Sequence, residues 1–217
     1  MLTCQHLIKG ASNYWKNYIE HDFVLQLANG TLPKENFRHY LKQDYLYLFH
    51  YSRAFGLAIY KSNNFTQMKA SYQILQSILE EKQLHISYCQ EWGITEAELR
   101  NIPESPACIA YTRYILDCGY HGTLVDLYAA IAPCVLGYAE ISKMINERQI
   151  SPPNNPYQKW IDSYSSVEFQ QSVAKISSNL ERLCQSLNSF HQQKIQEIFT
   201  TATRMETAFW QMGLDLS

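Results

Sequence analysis

One thiol and two carboxyl groups interrupt apolar or aromatic stretches of the sequence. Cys134 lies in the run LYAAIAPCVLGYAEI, Asp44 in FRHYLKQDYLYLFHY, and Glu206 in FTTATRMETAFW. A thiol can act as a nucleophile, and a carboxyl group in an apolar environment has a raised pKa that suits a general acid. If the fold brings the three together, they indicate a site that combines a nucleophile with an acid.

Asp44 shares a helical face with tyrosines. Side chains three or four residues apart lie on one side of a helix, which places Tyr40, Asp44, Tyr47 and Tyr51 together. Burying an unpaired carboxylate is costly. Two interpretations stay open: a tyrosine hydroxyl or an arginine satisfies a structural aspartate, or a planar ligand lies on the rings and donates to Asp44.

Glu206 occupies a comparable position near the end of the chain. Ala202 and Thr203 precede it at helical spacing, and Phe209 and Trp210 follow it. Desolvation on such a face would raise the pKa of the carboxyl group and equip it for proton transfer near neutral pH. The alternative is a structural glutamate that pairs with a buried arginine.

The thiol of Cys134 follows a proline inside a helical run. A lone cysteine in an apolar helix is usually an inert small hydrophobe. Pro133, however, removes the hydrogen bond to the carbonyl of Ala129 and costs about 3 kcal/mol or more. We therefore expect a bend that turns Cys134 into the site, with Tyr138 one turn further on the same face. On this hypothesis, Pro133→Ala lowers activity while the fold stays at least as stable.

The elements that must position these residues are all helical. Valine is scarce, strand-like alternation is absent, and turn residues recur at helix-like intervals. Capping boxes are predicted at Thr95–Glu98 and Ser165–Glu168, and Ser105 with Pro106 indicates a helix start. Pro33 is expected in the first turn of a helix that follows Gly30. Helices are predicted near 4–28, 34–61, 66–91, 106–118, 123–148, 157–163, 166–188 and 191–212.

The chain is predicted to form a single all-α, multi-helix domain over residues 1–217. The run SPPNNP is the clearest loop, but it is too short to indicate a domain boundary. Hydrophobic residues make up 46% of the 217 residues, which favours a globular protein with a sizeable core.

Composition excludes several classes of function. The formal charge of −2, without a basic cluster, argues against nucleic-acid binding. Six cysteines without a CxxC pair favour reduced thiols over a disulfide framework or a zinc site. No signal-peptide block opens the chain, and we expect a soluble cytoplasmic protein without membrane association. The di-iron pattern of Glu-x-x-His is absent, and the histidines are expected to be structural or exposed.

Several motifs in one order resemble the TenA/thiaminase II family of aminopyrimidine hydrolases. They are QDYLYL, EWGIT, YTRYIL, PCxxGY, YxxWIDxYSxxxF and METAFW, and the likeness runs nearly end to end. The resemblance implies a helical domain similar to haem oxygenase, assembled as a homotetramer, with no metal or organic cofactor. One departure is His21–Asp22–Phe23, where the family usually has proline between histidine and phenylalanine, and this puts only local helix geometry in question.

The resemblance also implies roles for individual residues. Cys134 would add to the pyrimidine ring, Glu206 would donate a proton to the departing group, and Asp44 would bind the exocyclic amine and the adjacent ring nitrogen. Tyr47 would tune the thiol, and the tyrosines that would contact the substrate are Tyr111, Tyr138 and Tyr164. The expected substrate is 4-amino-5-aminomethyl-2-methylpyrimidine, thiamin or both, and the residues do not decide between them. A non-catalytic pyrimidine-binding protein is the alternative, although binding alone would need neither Cys134 nor Glu206.

Overall fold

Helices make up nearly all of the regular structure. The computed structural model describes residues 2–217, apart from the side chains of residues 81–84. Within that range there are eleven α-helices and no strand, which confirms the predicted fold class. The helices are α1 (Cys4–Gly10), α2 (Ser12–Ile19), α3 (Asp22–Ala28), α4 (Lys34–Tyr60), α5 (Phe65–Glu91), α6 (Glu96–Asn101), α7 (Pro106–His121), α8 (Leu124–Arg148), α9 (Gln158–Ser165), α10 (Val167–Cys184) and α11 (Ser189–Asp215).

The single helix predicted over 4–28 is wrong, because three short helices occupy that range. Ala11 ends α1 and begins α2, and His21 has an extended backbone conformation between α2 and α3. The ring Nδ1 of His21 accepts a hydrogen bond from the amide of Phe23 at 3.2 Å, so the histidine caps α3. Large apolar residues continue through both breaks at near-helical spacing, which hides the breaks from periodicity.

The helix caps confirm some predictions and overturn others. Thr95 and Glu98 form the predicted capping box, with the Glu98 carboxylate accepting from the Thr95 amide at 2.8 Å. That box begins α6, a helix absent from the predicted boundaries. The second predicted box is wrong, because Ser166, and not Ser165, caps α10. Pro33 is the N-cap of α4 and therefore precedes the first turn.

Helix α8 lies at the centre of the fold. It packs against α2, α4, α7, α9, α10 and α11. Pro133 lies inside α8 without ending it, since the helix is continuous from Leu124 to Arg148. By length and composition α8 alone among the described helices could cross a membrane, but 72% of its most apolar window is buried within the protein. Burial of this kind identifies α8 as the core helix of the bundle.

Candidate active site

Five helices supply the residues predicted for the site. Asp44 and Tyr47 come from α4, Tyr111 from α7, Cys134 and Tyr138 from α8, Tyr164 from α9, and Glu206 from α11. Their ionisable groups influence one another: the charges of Asp44 and Glu206 both act on the Cys134 thiol, and Glu206 also acts on Tyr138. The fold thus brings the seven residues into one buried cluster.

Glu206 is bonded to a tyrosine and not to the arginine considered as its alternative partner. Its side chain is 2% exposed, and Tyr111 Oη donates to its Oε1 at 2.6 Å. Burial raises the pKa of Glu206 to about 8, although the hydroxyls of Tyr111 and Tyr18 act in the opposite direction. The carboxyl group is therefore mainly protonated at neutral pH and can serve as a general acid.

Asp44 has neither of the structural partners considered for it. Among the described residues no side chain or amide donates a hydrogen bond to its carboxylate, and Nδ1 of His85 lies 3.9 Å from Oδ2. Burial lowers the pKa of His85 to about 4, so this imidazole is neutral and forms no ion pair with Asp44. Burial also raises the pKa of Asp44 to about 7. A buried carboxyl group whose oxygens accept from no described residue fits a ligand that donates hydrogen bonds.

The Cys134 thiol is protonated in the resting protein. Burial first, and the nearby Glu206 carboxylate second, raise the pKa of the thiol well above its usual value. The hydroxyl of Tyr47 acts against them and favours the thiolate, although it forms no hydrogen bond of ordinary length. Cys134 is partly accessible, unlike the fully buried Cys89 and Cys108. Access and a facing hydroxyl are the features expected of a thiol that reacts with a bound molecule.

Aromatic rings surround these groups on two sides. Tyr47 stacks on Tyr111 with ring centroids 5.2 Å apart. On the other side Tyr138 meets Tyr164 edge to face at 4.7 Å, and its hydroxyl lies 3.2 Å from that of Tyr40. Rings arranged in this way suit a flat ligand that is apolar on its faces and polar at its edges.

Tyr18 of α2 is a site residue that the sequence did not reveal. It is fully buried, and its ring approaches α8 so closely that a Cβ on Gly137 would lie 2.0 Å from its Cε1. The available signal was Gly137, three residues after Cys134 and therefore on the same face of the helix. A glycine inside a core helix costs about 1 kcal/mol relative to alanine and often marks a close approach.

Four buried donors of this cluster have no hydrogen-bond partner among the described residues. They are the hydroxyls of Tyr18, Tyr47 and Tyr51 and the indole Nε1 of Trp210. Buried polar groups are nearly always hydrogen-bonded, so a cluster of exceptions needs an explanation, and a bound molecule or water would supply the missing partners. Two surface clefts contain none of these residues: one lies between α5 and α10, and the other lies along α2 and α11. The candidate site is thus internal to the bundle.

The histidines outside the cluster have structural partners, as predicted. His50 bonds to Glu104 at 2.6 Å, and the ring of His39 lies 3.1 Å from the carbonyl of Ser217. In the part of the chain that the structure describes, no group of three histidine, cysteine or acidic side chains is arranged to bind a metal ion.

Sequence comparisons find relatives over nearly the whole length of the chain. Residues 8–216 match the model of the TENA/THI-4/PQQC family. A Haemophilus influenzae protein named only as uncharacterized is 57% identical over 98% of this chain and 99% of its own length. The aminopyrimidine aminohydrolase of Halalkalibacterium halodurans is 34% identical, over 95% of this chain and 93% of that one. In Schizosaccharomyces pombe, a putative hydroxymethylpyrimidine/phosphomethylpyrimidine kinase 2 is 41% identical over 91% of this chain, which spans 36% of that protein.

Solved structures agree on the fold. A protein of Silicibacter sp. TM1040, described as a TenA family transcription regulator, superposes with a TM-score of 0.91 at 38% identity, covering 97% of this chain and 95% of that one. A Shewanella denitrificans domain of unknown function with a heme oxygenase-like fold gives a TM-score of 0.75 at 12% identity, over the whole of this chain and 94% of that one. The bundle therefore has a haem-oxygenase-like fold.

Proposed function

Because the chain belongs to the TENA/THI-4/PQQC family, we propose that it is an aminopyrimidine aminohydrolase that uses Cys134 as its nucleophile. The observation that carries the proposal is the buried cluster of one thiol and two carboxyl groups between tyrosine rings. Burial raises the pKa of Asp44 to about 7 and that of Glu206 to about 8, so both groups can exchange protons near neutral pH.

The proposed substrates are 4-amino-5-aminomethyl-2-methylpyrimidine and thiamin. Hydrolysis of either gives the hydroxymethyl pyrimidine, and the S. pombe relative is named as a kinase of that product. On this proposal the aminopyrimidine ring lies between the tyrosines, and its exocyclic amine donates to Asp44, whose oxygens accept from no described residue. The absence of an arginine partner for Asp44 supports this assignment, because a salt-bridged aspartate would be less available to the ring.

The reaction begins with addition of sulfur to the ring. As the bond from Cys134 to a ring carbon forms, the ring loses aromaticity and the thiol proton passes to the ring nitrogen that faces Asp44. The hydroxyl of Tyr47 stabilises negative charge that develops on sulfur. Bond formation and proton transfer occur together because the free thiolate is unfavourable in this environment.

Glu206 then acts twice. It gives its proton to the departing amine as the exocyclic carbon–nitrogen bond breaks, and it becomes a carboxylate. Water adds to the exposed methylene carbon and returns a proton to Glu206. Loss of the Cys134 thiol from the ring restores aromaticity, and the ring nitrogen returns its proton to sulfur. Every proton is accounted for without a metal or an organic cofactor.

The assembly and location of the protein are part of the same proposal. We infer a soluble cytoplasmic protein of one domain, supported by a family match over residues 8–216, and a homotetramer. Large apolar side chains at the surface support assembly: Phe65 is 88% exposed, Tyr60 81% and Phe190 74%. Light scattering on the eluting protein should give four times the mass of 25.3 kDa for one chain, whereas a monomer would contradict the tetramer.

A kinetic assay on the two pyrimidines tests the proposal. Wild-type protein should hydrolyse at least one of them, and Cys134→Ser should turn over neither. A much higher kcat/KM on the aminomethyl pyrimidine would identify salvage as the main role, and comparable rates on thiamin would indicate thiamin breakdown. If the wild type binds both compounds and hydrolyses neither, the protein is a pyrimidine-binding protein and the proposed activity is wrong.

A further inference from the structure

Tyr18 is held against the catalytic helix by an arrangement that leaves its hydroxyl free. Its ring stacks on Trp210 at 6.3 Å and meets Trp15 edge to face at 5.7 Å. On its third side it lies against the bare backbone of Gly137, where a methyl group would come within 2.5 Å of the hydroxyl oxygen. Three contacts thus fix the ring, and none of them is a hydrogen bond.

The ring that carries this free hydroxyl stacks on Trp210, which lies one helical turn after Glu206 on the same face of α11. Tyr18 is fully buried, and its oxygen has no hydrogen-bond partner among the described residues. Glu206 has one donor at hydrogen-bond distance, Tyr111 at 2.6 Å on Oε1. The hydroxyl of Tyr18 lowers the pKa of Glu206, as the hydroxyl of Tyr111 does, which agrees with a position beside the same carboxyl group.

We propose that Tyr18 is a positioning residue for Glu206, donating a second hydrogen bond to the carboxylate whenever Glu206 has given up its proton. This inference rests on the proposed function, in which Glu206 alternates between acid and base. A carboxylate with one donor would hold its proton too tightly in this environment, and a second donor favours the ionised form that must accept a proton from water. Gly137 serves the same purpose, since any side chain there would displace the ring.

Several other ionisable groups face Glu206 and are kept constant in the test. They come from three helices packed against α11, and they are Asp44, Tyr47, Tyr51, Tyr111, Cys134 and Tyr138. A change confined to Tyr18 therefore reports the effect of its hydroxyl on a background of unchanged charges.

The test compares Tyr18→Phe with a matched control, Tyr128→Phe. Tyr128 is equally buried on α8, but its hydroxyl lies 3.1 Å from that of Ser71, away from the carboxyl groups. In Tyr18→Phe the basic limb of the kcat profile should move up by about one pH unit, a tenfold change in the ionisation constant, with KM nearly unchanged. Tyr128→Phe should leave the profile in place.

A second measurement does not depend on turnover. Infrared spectroscopy follows the carboxyl band of protonated Glu206 with pH, identified by its loss in Glu206→Gln. Tyr18→Phe should keep that band to higher pH than wild type. If the wild type hydrolyses substrate but neither the profile nor the band moves in Tyr18→Phe, the role of Tyr18 is wrong and the activity stands. If the band moves and the wild type hydrolyses nothing, the inference stands and the proposed activity is wrong.

Gly137→Ala provides an independent variant. Its methyl group must push the Tyr18 ring away from α8. The band of protonated Glu206 should therefore persist to higher pH than in wild type, as in Tyr18→Phe, although every hydroxyl is still present. A folded Gly137→Ala protein with an unchanged band would contradict the proposed positioning.

Discussion

At the scale of single residues, the two carboxyl groups of the site differ in their hydrogen-bond partners. Asp44 accepts a hydrogen bond from no described residue and has a neutral imidazole nearby, whereas Glu206 accepts one from Tyr111. Both have raised pKa values for the same reason, burial. The acceptor oxygens of Asp44, unoccupied by any described residue, suit it to binding a hydrogen-bond donor. Glu206 is held in place through one oxygen by Tyr111, which suits it to proton transfer.

Cys134→Ser is expected to abolish turnover and retain binding. Serine has nearly the shape of cysteine, but its hydroxyl is a far weaker nucleophile toward the ring, and we expect kcat to fall by about 10³-fold or more. Calorimetric titration with the aminomethyl pyrimidine should give a Kd within about threefold of the wild-type value. Cys184→Ser is the control, because this buried thiol of α10 is influenced by Glu181 and by none of the site residues. Substantial turnover by Cys134→Ser would exclude the covalent mechanism.

Glu206→Gln should distinguish the two substrates. A neutral amine needs a proton as it leaves, whereas the thiazolium of thiamin departs as a neutral thiazole without one. We therefore expect kcat/KM on the aminomethyl pyrimidine to fall by about 10²–10⁴-fold, and kcat/KM on thiamin to fall much less. Water addition follows departure and is shared, so kcat should fall on both. Equal losses in kcat/KM on the two compounds would argue against Glu206 as the acid for the leaving group.

The spacing of residues along the sequence predicted which side chains of α4 and α11 belong to the site. It did not predict Tyr18 of α2. Asp44 and Tyr47 follow from the period of a single helix. Tyr18 belongs to the site only because α2 crosses α8 at Gly137, and a crossing point depends on the whole packing arrangement. The partners of Asp44 and Glu206 were likewise undecided, since they come from other helices.

At the scale of elements, α8 combines a proline with the nucleophile and remains continuous. The sequence correctly indicated a core helix over this stretch, because a long uncharged run suits one, and the structure adds a capping box at Thr123 and Asp126. The helix over 4–28 was wrong for a related reason. Apolar spacing continues through Ala11 and His21, while the breaks depend on local backbone conformations that spacing does not report.

Pro133→Ala tests whether the proline serves the site. Alanine restores a backbone donor for the carbonyl of Ala129, so we expect a stability equal to that of the wild type or higher. If the proline orients the thiol, kcat should fall by about tenfold, because small displacements of a nucleophile are costly. Thermal unfolding and kinetics on one preparation measure both quantities. Full activity in a stabilised variant would leave Pro133 without a catalytic purpose.

At the scale of the whole molecule, the buried carboxyl groups make stability depend on pH. Both have folded-state pKa values well above those of an unfolded chain, about 7 against 3.8 for Asp44 and about 8 against 4.5 for Glu206. Between these limits the folded state binds protons that the unfolded chain has lost. Stability from these two groups is therefore greatest below about pH 4 and declines as pH rises toward 8.

Asp44→Asn should remove part of that decline. An asparagine does not ionise, so its burial carries no cost that grows with pH. The variant should therefore unfold at a higher temperature than wild type at pH 8, with a smaller difference at pH 5. Each kcal/mol recovered is worth about 2–4 °C in Tm for a chain of this size. Calorimetry at both pH values measures the effect, with Asp117→Asn on the exposed face of α7 as control. Equal differences at pH 5 and pH 8 would contradict a cost due to ionisation.

The protonated state of Cys134 also affects how readily this residue is oxidised. Oxidants and electrophiles attack thiolates, and the ladder from sulfenic to sulfonic acid begins with that anion. Cys134 stays a protonated thiol until a substrate ring is bound beside it, so little thiolate is present to react with such reagents. The environment that delays ionisation of Cys134 therefore also protects it from peroxide, at no further cost to the fold.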